Sequence, residues 1–287
     1  MSAQDSQSVE IEFGRSADGF PVARVGDVAF AMLPATDNRF FLANGWMLRT
    51  PPCAWRRSDF YGHAGELADA DAFRAKVMEH AAHRRERAAL GRIESFSRVS
   101  TPWGVSQRAT MYADGVESHS TSGHGGFKLS AERNRRVHPM LRARGGWYEE
   151  DAAWAIVAIT FPGLFTSFER RCAERTIKDY WPEAFEAIFG VTLQPGGSYE
   201  RDRRAFQKAH ASDWIVTSAI ISDHEHGVVE CIATLGGEHW PHMQVRRFLV
   251  PSSEYEIGRF GFVIDPVRHA VYDGPSSFIG WRRGEAS

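Results

Sequence analysis

The chain has 287 residues, 43% of them hydrophobic and 12% aromatic, which is enough apolar material for a sizeable core and excludes a disordered tail or a small stapled domain. Thirty-four Lys and Arg stand against 36 Asp and Glu, a formal net charge of -2, so no global basic field holds nucleic acid and any such contact must come from a local patch. The three cysteines, Cys53, Cys172 and Cys231, are far apart and form no CxxC pair, which points to a reducing, cytoplasmic setting and away from a disulfide framework or a thiolate zinc site.

The first residues, MSAQDSQSVEIEF, lack a basic segment followed by an apolar one, and no run of about eighteen apolar residues occurs, so neither export nor a membrane span is expected. Residues 9 to 50 alternate short apolar runs (VEIEF, PVARV, VAFAML, RFFLANGWML) with Asp-Gly and Gly-Asp punctuation; this predicts a small antiparallel meander. From 66 to 90, Leu67, Phe73, Val77, Met78 and Ala81 recur at three- and four-residue spacing, with acids early and bases late, which predicts an amphipathic helix. Its far end carries Arg84, Arg85 and Arg87, with Arg92 just beyond, a run that reads as a solvated face.

The Ser-rich stretch from Ser95 to Pro102 marks a junction, giving an N-terminal unit of meander and helix over 1–95 and a main domain over 96–287. Beyond it come strand-like RATMYA and VESHSTS, a glycine-rich turn, a short basic helix opened by Ser130, and an apolar helix expected from about Tyr148 to Phe161, ended by Pro162. Helical patterns over 164–189 and 198–210 come next, then strands WIVTSAIIS, GVVECIATL, MQVRRFLV and FGFVID. Strands, helices and strands in that order describe an α+β fold: antiparallel sheet regions with a buried central helix, plus the small N-terminal strand-and-helix unit.

The most unusual segment is Ser118-His119-Ser120-Thr121-Ser122-Gly123-His124-Gly125-Gly126. Glycines on both sides of His124 let a ligand or a second backbone approach the imidazole closely. A histidine there suits proton transfer near neutral pH, and Ser120, Thr121 or Ser122 can orient it or supply a nucleophile. The same letters also spell a tight turn with a half-exposed histidine. GxSxG and P-loop signatures are absent.

Gly145-Gly146-Trp147-Tyr148-Glu149-Glu150-Asp151 precedes the apolar AAWAIVAITF. A helix apolar all round is buried, so these carboxylates sit at the mouth of a core, either as partners for His124 in acid-base chemistry or as helix caps. The candidate catalytic set is therefore His124, Glu149, Glu150 and Ser122, with Gly123, Gly125, Gly126, Trp147, Tyr148 and Trp103 as candidate substrate-binding residues. His224 and His226 in DHEHG, and His239 and His242 in GEHWPH, could gather on a metal with Asp223 or Glu225, but their spacing is loose. No metal and no cofactor are expected. Arg108, Ser120-Thr121-Ser122 and Glu254-Tyr255-Glu256 are similar to short elements of ADP-ribosyltransferases, although the Arg stands only twelve residues before the first Ser.

Taken together, TPWG (101–104), YADGVESHSTSGHGGFKLSAERN (112–134), GGWYEEDAAWAIVAITFP (145–162), FLVPSSEYEIGRFGFVIDP (248–266) and GPSSFIGW (274–281) resemble a family of uncharacterised proteins of plasmids, integrative elements and phages, catalogued as a domain of unknown function. Many members carry Cys after YEED where this chain has Ala152, which argues against a thiol mechanism. The resemblance implies a role on DNA, or on host proteins that act on DNA. Two functions are expected on this basis. One is an accessory or anti-defence factor that binds a host protein or nucleic acid, with GHGG and YEED as turn and capping devices. The other is a hydrolase or group-transfer enzyme on a nucleic-acid or nucleotide-like substrate, using His124 with Glu149 or Glu150.

Overall fold

A computed structural model of the chain describes residues 9–36, 39–238 and 244–279. The fold is α+β, and its contacts group into two units, Met1–Ile177 and Lys178–Ser287. The first begins with the expected meander: β1 (Ile11–Arg15), β2 (Pro21–Val25), β3 (Val28–Pro34), β4 (Phe40–Trp46) and the short β5 (Glu66–Leu67) lie in chain order in one sheet, each antiparallel to the next. Val28 to Leu33 of β3 are buried at every position because both faces of the sheet are covered. On one face, α1 (Ala70–Ala89) sets Phe73, Val77 and Ala81 against Val25, Phe30, Met32 and Leu42; on the other, Trp55 and Phe60 close over Val22, Ala31 and Leu33. Asp69 starts α1 by accepting a hydrogen bond from the Ala72 amide at 2.7 Å.

A second antiparallel sheet lies in the same unit. It is built from β6 (Ile93–Phe96), the hairpin β9 (Arg108–Ala113) and β10 (Val116–Ser120), β11 (Gly125–Leu129) and β12 (Trp147–Glu149), in the order β12-β11-β10-β9-β6. The small hairpin β7 (Ser100–Thr101) and β8 (Gly104–Val105) projects between β6 and β9. Ser130 caps α2 (Ala131–Arg135), as expected, by accepting from the Arg133 amide.

The apolar helix differs from its expected span. Trp147, Tyr148 and Glu149 pair with Lys128, Phe127 and Gly126 as a strand, and α3 runs only over Trp154–Thr160, entered at Ala153 with no side-chain cap. Glu149 and Glu150 are therefore not caps of this helix. The cause is Gly146, whose φ of 67° turns the chain back along β11, where cross-strand hydrogen bonds outweigh a helical propensity that Trp and Tyr hold only weakly. The helix core is nonetheless buried through Ala155, Ile156, Val157 and Ala158.

Next come α4 (Ser167–Tyr180), α5 (Pro182–Phe189) and α6 (Tyr199–Ala209). The second unit holds an antiparallel sheet of β13 (Trp214–Ile221), β14 (Val228–Leu235), β15 (Val245–Pro251) and β16 (Ala270–Val271). Its core is Val229, Cys231, Ala233, Phe248, Val250 and Ile264. Glu230 is fully buried there, bonded by Arg247 at 2.7 Å, by the Ser276 hydroxyl and by the Ser277 amide, so a buried charge is matched by donors on every side. The expected strand FGFVID makes only isolated bridges, Ile215 with Val263 and Gly258 with Gly261; Gly261, at a φ of 126°, breaks its extended path. No helix of the described residues is long and apolar enough to cross a membrane.

One ion pair ties the first unit together. Arg92, just past α1, donates to both oxygens of Glu169 on α4 at 2.9 and 2.6 Å and to the Leu164 carbonyl at 2.9 Å, and its guanidinium lies 4.1 Å from the Tyr112 ring of β9. Burial pushes the Glu169 carboxyl up, but the Arg92 hydrogen bonds and the Thr166 amide outweigh it and hold the group below the usual range. A carboxylate with a depressed folded pKa stabilises fully above its unfolded pKa, and loses that contribution as pH falls through the folded one. Glu169→Gln is therefore expected to cost about 3 kcal/mol at pH 7. In urea titrations the gap between wild type and variant should narrow below pH about 4.3.

Candidate functional site

The hairpin that joins β10 to β11 is closed by Thr121. Its amide donates to the His124 carbonyl at 2.8 Å, its hydroxyl donates to the same oxygen at 2.6 Å and accepts from the His124 amide at 3.1 Å. His124 is thus clamped through its backbone while its side chain stays 60% exposed, and Ser122 and Gly123 form the exposed tip. Across the hairpin, β12 runs out beside Gly125, whose carbonyl accepts from the Glu150 amide at 3.0 Å.

This pairing brings the expected residues together. His124 Nδ1 stands 4.0 Å from Glu149 Oε1, and ligand atoms of His124, Glu149 and Glu150 all lie within 4.8 Å of one another. Glu149 Oε2 accepts from the Asp151 amide at 2.8 Å, whereas Oε1 is sealed from solvent and has no hydrogen-bond partner. Among the described residues neither Glu149 nor Glu150 is paired with a Lys or Arg.

The two glycines after His124 are required by what lies over them. A Cβ on Gly125 would collide with Glu150 Oε2 and with the His119 carbonyl; one on Gly126 would collide with the Trp103 ring and the Tyr148 carbonyl. Trp103 stands edge-on to Trp147 with ring centroids 5.7 Å apart, and Trp147 in turn packs against His119 and under the Lys128 ammonium. Tyr148 is buried, its hydroxyl donating to Asn134 and accepting from the Ala143 amide.

Glu150 lines a cleft of about 420 Å³ on the α3 side of the second sheet. It is lined by Arg108 and Thr110 of β9, Ser118 and Ser120 of β10, the aromatic rings of Phe127, Trp154 and Phe165, and the carboxylates Glu94 and Glu169. Arg108 faces Ser120 across the ladder and has no ion-pair partner among the described residues. Sequence reasoning left Thr110, Ser118, Glu94 and Trp154 out of the site and kept Arg108 apart from it. The available signal was parity: Arg108, Thr110 and Tyr112, then Ser118 and Ser120, alternate in two successive strands and so share one face.

The other sequence candidates lie elsewhere. His224 and His226 are exposed in a turn of the second unit, while His239 and His242 fall outside the described residues. Glu254 and Glu256 also belong to the second unit. Cys231 is buried, and burial pushes its thiol up to about 12, which keeps it protonated and unreactive.

Residues 96–211 are similar to the model of the Domain of unknown function (DUF7007), and that stretch includes the His124, Glu149 and Glu150 cluster. No curated protein and no solved structure matches the chain.

The two ends of the glycine run make a direct contrast. Gly126→Ala should destabilise by about 2 kcal/mol through overpacking. Gly123→Ala, with open space around it, should stay within about 0.5 kcal/mol of wild type. Thermal melts of the two variants check this.

Proposed function

We propose that the cleft on the second sheet is the active site of a hydrolase or group-transfer enzyme acting on a nucleic-acid or nucleotide-like substrate. The observation that carries this reading is the convergence of His124, from the β10–β11 hairpin, with Glu149 and Glu150, from the end of β12, where Glu150, alone of the three, lines a cleft that also contains Arg108. Arg108 suits a phosphate, the hydroxyls of Thr110, Ser118 and Ser120 suit a sugar or phosphate oxygen, and the aromatic walls suit a base. At 4.0 Å, His124 and Glu149 are too far apart for a direct hydrogen bond but in range of proton transfer through one water. Glu150 presents the carboxylate that faces substrate. Ser122, on the exposed tip, is the neighbouring hydroxyl. The matched stretch, residues 96–211, holds the His124, Glu149 and Glu150 cluster, so we assign the chemistry to the expected 96–287 domain through that stretch and treat 1–95 as an added unit. Three free cysteines suit action in the cytoplasm.

A second reading is favoured by a different observation. The edge strand β6 exposes all four residues, with Phe96 at 92% and Ile93 at 58%, and Val99 and Val105 are exposed beside it. An apolar unpaired edge is a template for a partner strand. This supports an accessory or anti-defence factor of a mobile element that binds a host protein.

Turnover assays on nucleotides, single-stranded DNA and RNA separate the two. Under the enzyme reading His124→Ala and Glu150→Gln each lower kcat/KM by about 100-fold or more with the melting temperature unchanged. Parallel loss of stability and activity would assign both residues to structure. No turnover by wild type, with plasmid or phage protection that survives both substitutions, would leave the binding reading.

A further inference from the structure

We infer that His124, Glu149 and Glu150 form a binding site for a single divalent transition-metal ion. The inference rests on the reading of this cluster as catalytic and specifies its chemistry. Four observations support it, and the first is distance. Two atoms each about 2.1 Å from a common ion stand about 3 to 4.2 Å apart, depending on the angle at the ion. The His124 Nδ1 to Glu149 Oε1 separation of 4.0 Å is too long for a hydrogen bond and falls inside that interval. The third ligand, from Glu150, is within 4.8 Å of both, and the exposed side chains of His124 and Glu150 can close the remaining few tenths of an ångström.

The second observation is Glu149 Oε1, sealed from solvent and without a partner. A carboxylate oxygen withdrawn from water with nothing to bind carries a desolvation cost, and a cation between it and His124 removes that cost. The other oxygen, fixed by the Asp151 amide at 2.8 Å, holds the carboxylate in place, as a supporting hydrogen bond commonly does for a metal ligand.

The third is the shape of β11. The Glu150 carboxylate lies where a Cβ of residue 125 would be, so only glycine there lets Glu150 fold back over the strand toward Glu149. The fourth is charge. Two carboxylates within 4.8 Å, unpaired with Lys or Arg among the described residues, repel each other, and His124 offers at most one compensating charge. One imidazole and two carboxylates favour an ion that accepts nitrogen and oxygen, such as Mn²⁺ or Zn²⁺, over Ca²⁺. Three protein ligands leave positions for water or substrate, and Glu150 places them at the cleft. With an ion bound, His124 would serve as a ligand rather than as a base, and the ion would supply Lewis-acid activation of a water at the open positions.

The test uses untagged full-length protein stripped with chelator. Titration calorimetry with Mn²⁺ and, separately, Zn²⁺ should show one equivalent bound. His124→Ala and Glu149→Gln should each weaken that binding by about 10-fold or more with thermal melts of the metal-free proteins unchanged. A His224→Ala/His226→Ala double variant should bind as wild type does. The inference is overturned if neither ion binds stoichiometrically, if the His124 and Glu149 variants bind like wild type, or if only the double variant loses binding. Turnover is scored apart from binding. One equivalent of ion on a protein that turns over no substrate defeats the enzyme reading and leaves the metal site standing; turnover undiminished in chelator, without bound ion, defeats the metal site and leaves the enzyme reading.

Discussion

The first unit depends on one buried charge pair. Arg92 enters where α1 has ended and the second sheet has not begun, and it gathers the start of α4, the Leu164 turn and the β9 ring of Tyr112 around one guanidinium. Both partners are largely withdrawn from solvent, at 8% and 19% exposure, so each would be costly to bury without the other. The fork of Arg and the flat carboxylate of Glu satisfy this in two parallel bonds, and a lysine, with a point charge, would leave the Leu164 carbonyl or one Glu169 oxygen unmet. The pair acts on position. It sets α4 and the Phe165 turn against the second sheet, and those elements become one wall of the cleft whose opposite rim is Glu150.

At that rim the local chemistry is a matter of hairpin closure. Thr121 locks a four-residue connection so that His124 is held by its main chain, and β12 adds itself to the sheet just far enough to bring two consecutive carboxylates level with the imidazole. Because residues 149 and 150 stand at the end of the strand, where pairing ceases, their side chains need not keep the strict alternation of the ladder, and both reach toward the same imidazole.

Much of this was readable in advance, and the failures have physical causes. The N-terminal meander was legible from Asp-Gly and Gly-Asp punctuation between apolar runs, a signal that is local and strong. The association of GHGG with YEED was legible as residue types, although not as a geometry: its distances come from β11 and β12 pairing across about twenty residues of intervening chain, and tertiary pairing leaves no local pattern. The same absence makes Tyr148 and Glu149 read as the start of a helix, since the apolar AAWAIV just after them has no polar face to mark where helix begins. Arg108 is grouped in sequence with Ser120-Thr121-Ser122 and Glu254-Tyr255-Glu256, but its place beside the Glu150 cleft emerges only from the strand register that sets it opposite Ser120. Trp103 stands among the sequence candidates, but its half-buried edge contact with Trp147 had no sequence signature, because the hairpin that carries it is only a few residues long.

The bare stretch at Gly125 and Gly126 has an optical consequence. With Glu150 laid over one glycine and the Trp103 ring over the other, only a single thickness of peptide separates the acidic rim from the Trp103 and Trp147 indoles. Indole emission responds to nearby charge, and one oxygen of this rim, Glu149 Oε1, is sealed from the solvent that would screen it. Trp103 and Trp147 are two of nine tryptophans, so in a variant that keeps only these two the emission colour becomes a reporter of the charge beside Glu150, without a label, a coupled assay or knowledge of the substrate.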